Sequence, residues 1–150
     1  MDDNRAHIAH IITALLHHIH VEGSVEEEAW FGTPFFMIKT EEAPLLIGEH
    51  GQNLEALSYL ARKIAEKKEN PQKFVVDVNG YMRKHFDELR DRALMGAERV
   101  KYFKKEVALQ PMAPFERRVI HLTLQNHQDI ITESAGSGVQ RHVVIKLRVI

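Results

Sequence analysis

Residues 43–57 read APLLIGEHGQNLEAL: a short apolar piece, Gly48 and Gly51 three positions apart, then the opening turns of a helix. Both glycines permit a tight turn that a residue with a Cβ resists. They also let a phosphodiester come close to the main chain, where backbone N–H groups and the N-terminus of the following helix can hold it. Beyond the turn, Leu54, Leu57, Ala61 and Ile64 share one helical face. A Gly-x-x-Gly turn is in itself a common way to join two helices. Its meaning depends on what surrounds it.

Upstream, Ile8, Ile11, Ile12, Leu15, Leu16 and Ile19 recur at helical spacing between Arg5 and His20. Two β-prone stretches follow, Val25–Phe31 and Phe35–Thr40, and Gly32-Thr33-Pro34 between them predicts a hairpin turn. Downstream, KFVVDVN sets Phe74, Val76 and Val78 against Val75, Asp77 and Asn79, a strand closed by Asn79-Gly80. From Tyr81 to Lys104 a long helix, about 36 Å at ~1.5 Å per residue, carries Met82, Phe86, Leu89, Ala93, Val100 and Phe103. A short β piece, Val107–Leu109, precedes Pro111 and Pro114 and a helix PFERRVIHLTLQ. DIITESA, a Gly136-Ser137-Gly138 turn and RHVVIKLRVI then predict a closing hairpin. The expected architecture is α+β, with a boundary near Gly80.

In PFERRVIHLTLQ, Arg117 and His121 stand four apart and share a helical face, while Val119, Ile120, Leu122 and Leu124 supply a buried side. Such a pair is usually no more than a solvated face. Guanidinium groups, however, grip phosphate through two parallel hydrogen bonds, and an imidazole can stack or hydrogen-bond. Arg117, Arg118, His121 and Arg141 are therefore candidates for one basic surface, with Lys104 and Lys105 near them in sequence.

The 150 residues carry 20 Lys and Arg against 21 Asp and Glu, a net charge of −1. That balance hides a division. Residues 1–60 hold two basic and ten acidic side chains, whereas residues 61–150 hold eighteen and eleven. The second part suits a polyanionic partner, although mutual attraction of the two parts explains the division equally well. With no cysteine, disulfides and thiolate chemistry are excluded, and no apolar run reaches the ~18–20 residues of a membrane span. The opening MDDNRAHIAH lacks the basic start of a secretory signal, so a cytoplasmic protein is expected.

The order helix, strand, strand, short helix, GxxG, helix, strand resembles the type II KH domain. Ile47, Gly48, Gly51, Leu54 and Leu57 match its Ile-Gly-x-x-Gly-x-x-Leu-x-x-Leu core. The resemblance implies a KH domain over 1–80 that clamps about four nucleotides of single strand at Gly48, Glu49, His50 and Gly51. The tract LQPMAPFERRVIH…ITESAGSG…RHVVI resembles the R-three-H domain, named for its Arg-x-x-x-His and associated with single-stranded nucleic acid. It implies two helices on a small three-stranded sheet over 81–150, including the linking helix 81–104. Pro111, Glu116, Thr132, Ser134, Gly136 and Arg141 belong to the match.

KH followed by R-three-H resembles the Jag (SpoIIIJ-associated) family of bacterial cytoplasmic RNA-binding proteins. Members often carry a preceding Jag domain, which is expected to be absent here. The resemblance implies single-stranded RNA as ligand, with single-stranded DNA as its near relative, and a small KH-domain protein as partner. It further implies a link to cell elongation or sporulation, and no stable membrane insertion. Glu49, a carboxylate beside the phosphate path, favours a second reading in which the KH unit is a protein-interaction scaffold that has lost RNA binding.

Other features carry less. His7, His10, His17, His18 and His20 have no acid between them to complete a ligand set, and no HExxH occurs, so no metal is expected. Glu26, Glu27 and Glu28 beside a β segment read as a charged edge that resists aggregation. Trp30 and Phe31 read as packing rather than as a stacking surface. No catalytic constellation and no cofactor fingerprint is present, and the expected class is a binding protein rather than an enzyme.

Overall fold

A computed structural model describes residues 3–68 and 71–149; Ile150, the last residue of the predicted closing strand tract, lies outside them. Contacts cluster into two compact units, Met1–Arg83 and Lys84–Ile150.

The first unit runs α1 (Asp3–His18), β1 (Ser24–Trp30), β2 (Thr33–Lys39), α2 (Ala43–Ile47), a 3-10 turn (Glu49–Gly51), α3 (Gln52–Ala65) and β3 (Val75–Val78). This is the element order expected from the sequence. Strand β2 lies centrally, antiparallel to β1 and parallel to β3. Ile8, Ile11, Ile12 and Leu16 of α1 pack with Leu54, Leu57 and Ala61 of α3 on Phe36, Ile38, Val76 and Val78 of the sheet. Glu26, Glu27 and Glu28 on the edge strand β1 pair with Lys39, Arg5 and Arg83. Those acids therefore find their cations within their own unit.

Some expectations need correcting. The hairpin turns at Phe31-Gly32, both at positive φ, and Thr33 and Pro34 belong to β2. A proline in a central strand loses a ladder donor, but β3 pairs only with Phe35–Ile38, so beside Pro34 the sheet has no third strand to miss it. Ile64 and Ile19 are not core: Ala65 takes the buried position at the end of α3, and Ile19 lies beyond the last residue of α1.

Asp77 is the more instructive case. It lies on the opposite face of β3 from Val76 and Val78, yet it is fully buried. The carboxylate accepts N–H groups from Val78 (2.7 Å), Met82 (2.7 Å) and Arg83 (3.1 Å). A helix leaves its first amides without backbone acceptors, and a side-chain oxygen at that end satisfies them. Asp77 thereby sets the start of α4 (Tyr81–Phe103). Asn79, at φ 49°, clamps both backbone groups of Thr40 with its side-chain amide (3.1 and 2.8 Å).

The second unit continues with β4 (Val107–Ala108), α5 (Pro114–Leu124), β5 (Ile130–Ala135), a 3-10 turn (Gly138–Gln140) and β6 (His142–Leu147), in sheet order β4-β6-β5. Helix α4 turns Phe86, Leu89, Ala93, Gly96, Ala97 and Val100 inward. A Cβ on Gly96 would stand 2.7 Å from the end of the Ile145 side chain, which would have to shift to make room, so the glycine lets helix and sheet pack closely. Phe103 departs from expectation and is exposed; the buried face of α4 ends at Val100. Arg141 precedes β6 rather than lying in it.

Replacing Asp77 with Ala is expected to destabilise the first unit by about 2 kcal/mol, since buried donors lose their acceptor. Urea unfolding and hydrogen exchange at the Met82 and Arg83 amides measure it. A change below about 0.5 kcal/mol with unaltered exchange contradicts the capping role.

Candidate functional site

In the first unit the candidate site is the turn from Gly48 to Gly51. Gly48 adopts φ 72°, ψ −175°, a region open essentially to glycine alone. Any Cβ there would collide with Asn53, whose side-chain amide reaches back to donate to Leu45 O at 2.8 Å. Gly51 is left-handed at φ 77°, and Tyr81 from the start of α4 lies against it, 3.1 Å from where a Cβ would be. Between them, Glu49 and His50 stand at the tip with side chains 84% exposed and 3.7 Å apart. The backbone is partly committed: the Gly48 N–H donates to Pro44 O at 3.0 Å. Gly51 N–H points back to Gly48 O at the long distance of 3.5 Å, a weak bond. Ile47, Leu54 and Leu57 shape the turn from beneath, with Leu54 and Leu57 in the core and Ile47 packed against it.

In the second unit the candidate side chains gather at the start of α5 and the end of the β5–β6 connection. Pro114 opens the helix, where its missing N–H costs nothing. Glu116 accepts the Ala113 N–H at 2.7 Å and lies 2.5 Å from His85 Nε2 on α4, which fixes the helix start from two sides. Arg117 Nη1 donates to Met112 O at 2.7 Å, and Met112 N–H donates to Arg141 O at 3.1 Å. One residue, Met112, thus brings both arginines together. Arg141 Nη1 in turn donates to Gly136 O at 2.9 Å. Each guanidinium is held by a neutral carbonyl rather than by a described carboxylate, so its charge is uncompensated and donors remain on its fork. Arg118, next in the sequence to Arg117, is exposed.

His121 has a different setting. Nδ1 lies 2.6 Å from Thr132 Oγ1 and Nε2 lies 3.0 Å from Ser134 Oγ. A neutral ring donates to one hydroxyl and accepts from the other, so both nitrogens already have protein partners. Burial, with a smaller push from the Arg117 charge, holds the imidazole below its ordinary value of 6.5. What His121 does here is pin α5 to β5 beneath the arginines; only its ring surface remains for a ligand. Thr132 and Ser134 are the residues whose role side-chain type alone does not reveal. Their i,i+2 spacing on a strand, which puts both on one face, was the available signal. Met112 acts through its backbone and gave none.

Among the described residues no group of His, Asp and Glu could hold a metal ion, and no helix is long and apolar enough to cross a membrane.

The R-three-H domain family matches residues 87–147, a span that includes α5, Met112 and both hydroxyl partners of His121. Among curated proteins, the RNA-binding protein KhpB of Clostridium symbiosum is 36% identical over 112 residues, covering 74% of this chain and 50% of its own length. KhpB of Bacillus subtilis is 40% identical over 114 residues, 73% of this chain and 54% of its own. KhpB of Lactiplantibacillus plantarum is 34% identical over 110 residues, 73% and 34% respectively. The chain spans about half the length of the first two relatives.

The depressed imidazole has a stability consequence. The unfolded chain takes up a proton on His121 near 6.5, the folded chain only below that value. The stabilisation is therefore complete above 6.5 and is lost as pH falls through the lower folded value. Between pH 7.5 and 5, the unfolding temperature of His121→Gln is expected to fall less than that of the parent. Equal falls in both proteins contradict the assignment.

Proposed function

We propose that this chain is a Jag-type R-three-H protein that binds single-stranded RNA, on the strength of the R-three-H match and of its likeness to the KhpB proteins. It does so as a binding protein, not an enzyme. The observation that carries the reading is the pair Arg117 and Arg141, joined through Met112 and anchored by carbonyls, with no carboxylate partner among the described residues. A guanidinium compensated by an acid has little left for phosphate. One oriented by a neutral carbonyl keeps its charge and is already positioned, which reduces the entropy lost on binding. In this reading Arg117, Arg118 and Arg141 hold the sugar–phosphate chain. His121 orients the helix that presents them and offers its ring for stacking.

The first unit is, in the same reading, a type II KH domain, with a boundary near residue 80. The support is its element order, the parallel β2–β3 pair and the turn glycines at positive φ, Gly48 in a region open essentially to glycine and Gly51 left-handed. The strand would pass at Gly48, Glu49, His50 and Gly51. With the Gly48 amide engaged by Pro44, the contribution of this loop is shape and close approach more than a full set of free amides. Single-stranded DNA is the related ligand, and a small KH-domain protein is the proposed partner. A cytoplasmic role in post-transcriptional control tied to cell elongation or sporulation is the finer part of the proposal, resting on family resemblance.

The exposed Glu49 favours a second reading for the first unit alone, a scaffold that docks a protein. Salt dependence separates the two. For single strands log K falls with log salt at about −0.7 per phosphate neutralised.

Arg117→Ala is expected to weaken binding of a single-stranded RNA about tenfold or more, in line with the loss of a charge-assisted contact. Gly51→Asp adds a charge and strains a left-handed position, and the double variant is expected to bind more weakly than either single one. Fluorescence anisotropy at low salt measures this. A double variant that binds like the parent overturns the site assignment, and a flat salt response favours the scaffold.

A further inference from the structure

We propose that Tyr102 and Phe103, at the C-terminal end of α4, form a base-stacking platform for single-stranded RNA. The proposal rests on the RNA-binding reading and adds a site to it, built from residues other than the Gly48–Gly51 turn and the arginine pair. Tyr102 is 81% exposed and Phe103 60%. Their rings contact one another edge to face, with centroids 4.9 Å apart and planes at 79°. Two adjacent aromatic side chains left in water forgo most of the benefit of burial. The helix phase that would have covered Phe103 ends one turn earlier, at the fully buried Val100.

The surroundings indicate what covers them. The seven residues 99–105, Arg-Val-Lys-Tyr-Phe-Lys-Lys, contain four cations and no acid. Lys101 is paired with Glu98 at 3.2 Å. Arg99, Lys104 and Lys105 have no carboxylate partner among the described residues. A helix C-terminus carries the equivalent of roughly half a negative charge, which these cations outweigh. Protein–protein interfaces are depleted in lysine, whereas strand-binding surfaces combine cations along the backbone path with aromatic faces on which bases stack. The platform is also anchored: Lys104, at φ 57°, closes the helix by donating its N–H to Val100 O at 2.9 Å. The rings therefore project from a finished helix end whose preceding turn is locked into the core. A nucleobase over either ring, with its phosphates toward Lys104 and Lys105, satisfies both the apolar surface and the unpaired charge.

The test compares a labelled oligouridine with an abasic sugar–phosphate oligomer of equal length, by fluorescence anisotropy on the full chain. The parent is expected to prefer the base-bearing strand. Tyr102→Ala with Phe103→Ala is expected to bind oligouridine about tenfold more weakly, with affinity for the abasic oligomer and the unfolding temperature unchanged. Tyr102→Leu with Phe103→Leu keeps apolar bulk without a π-face, and is expected to show the same selective loss. If the parent binds RNA and either double variant loses both ligands equally or neither, the platform is refuted while the RNA-binding reading stands. If the parent binds neither oligomer, the reading itself fails and the platform falls with it.

Discussion

A buried carboxylate with three backbone donors around it organises the first unit. Asp77, near the end of β3, caps the start of α4, so a single group links the last strand to the next helix. The consequences extend outward. The capped first turn places Tyr81 against Gly51, which backs the turn between α2 and α3. It also places Arg83 where it pairs with Glu28 on β1 and covers the ring of Phe35. A carboxylate removed from water is costly unless its oxygens are occupied, and here three N–H groups occupy them.

The second unit is organised by close approach and by small polar contacts. Ala93, Gly96 and Ala97 keep the inner face of α4 thin, which lets Ile145 reach the helix backbone. Above that core, His121 bridges α5 to β5 through two hydroxyls, and Met112 ties Arg117 to Arg141 through its own backbone. Arg117 and Arg141 are thus held by carbonyl oxygens, with no carboxylate partner among the described residues. Surface ion pairing, by contrast, is what Glu26, Glu27 and Glu28 show on β1.

Apolar periodicity located nearly every element, because a segment that must bury one face repeats with the period of its own backbone. It misjudged the ends. Ile19, Ile64 and Phe103 keep the helical phase yet lie exposed, since phase does not record where the neighbouring element stops. Pro34 looked like a turn residue because proline so often is one; its place in β2 depends on where β3 begins. Arg117, His121 and Arg141 were legible as candidates from residue type and spacing. The separation of their roles was not, since Thr132, Ser134 and Met112 approach them only after the chain has folded back.

From its residues alone this chain determined two α+β units, a tight turn that its two glycines permit, and a helix bearing arginine and histidine on one face. Those features follow from local backbone sterics and from side-chain period, and neither needs a distant partner. The tertiary structure alone decided that Asp77 is a cap and that the His121 nitrogens turn inward. It alone decided that the two arginines are anchored by carbonyls, and that the last aromatic pair of α4 remains in solvent. Each of these depends on which groups from remote positions come within hydrogen-bonding or van der Waals reach, a property of the packed chain rather than of any segment within it.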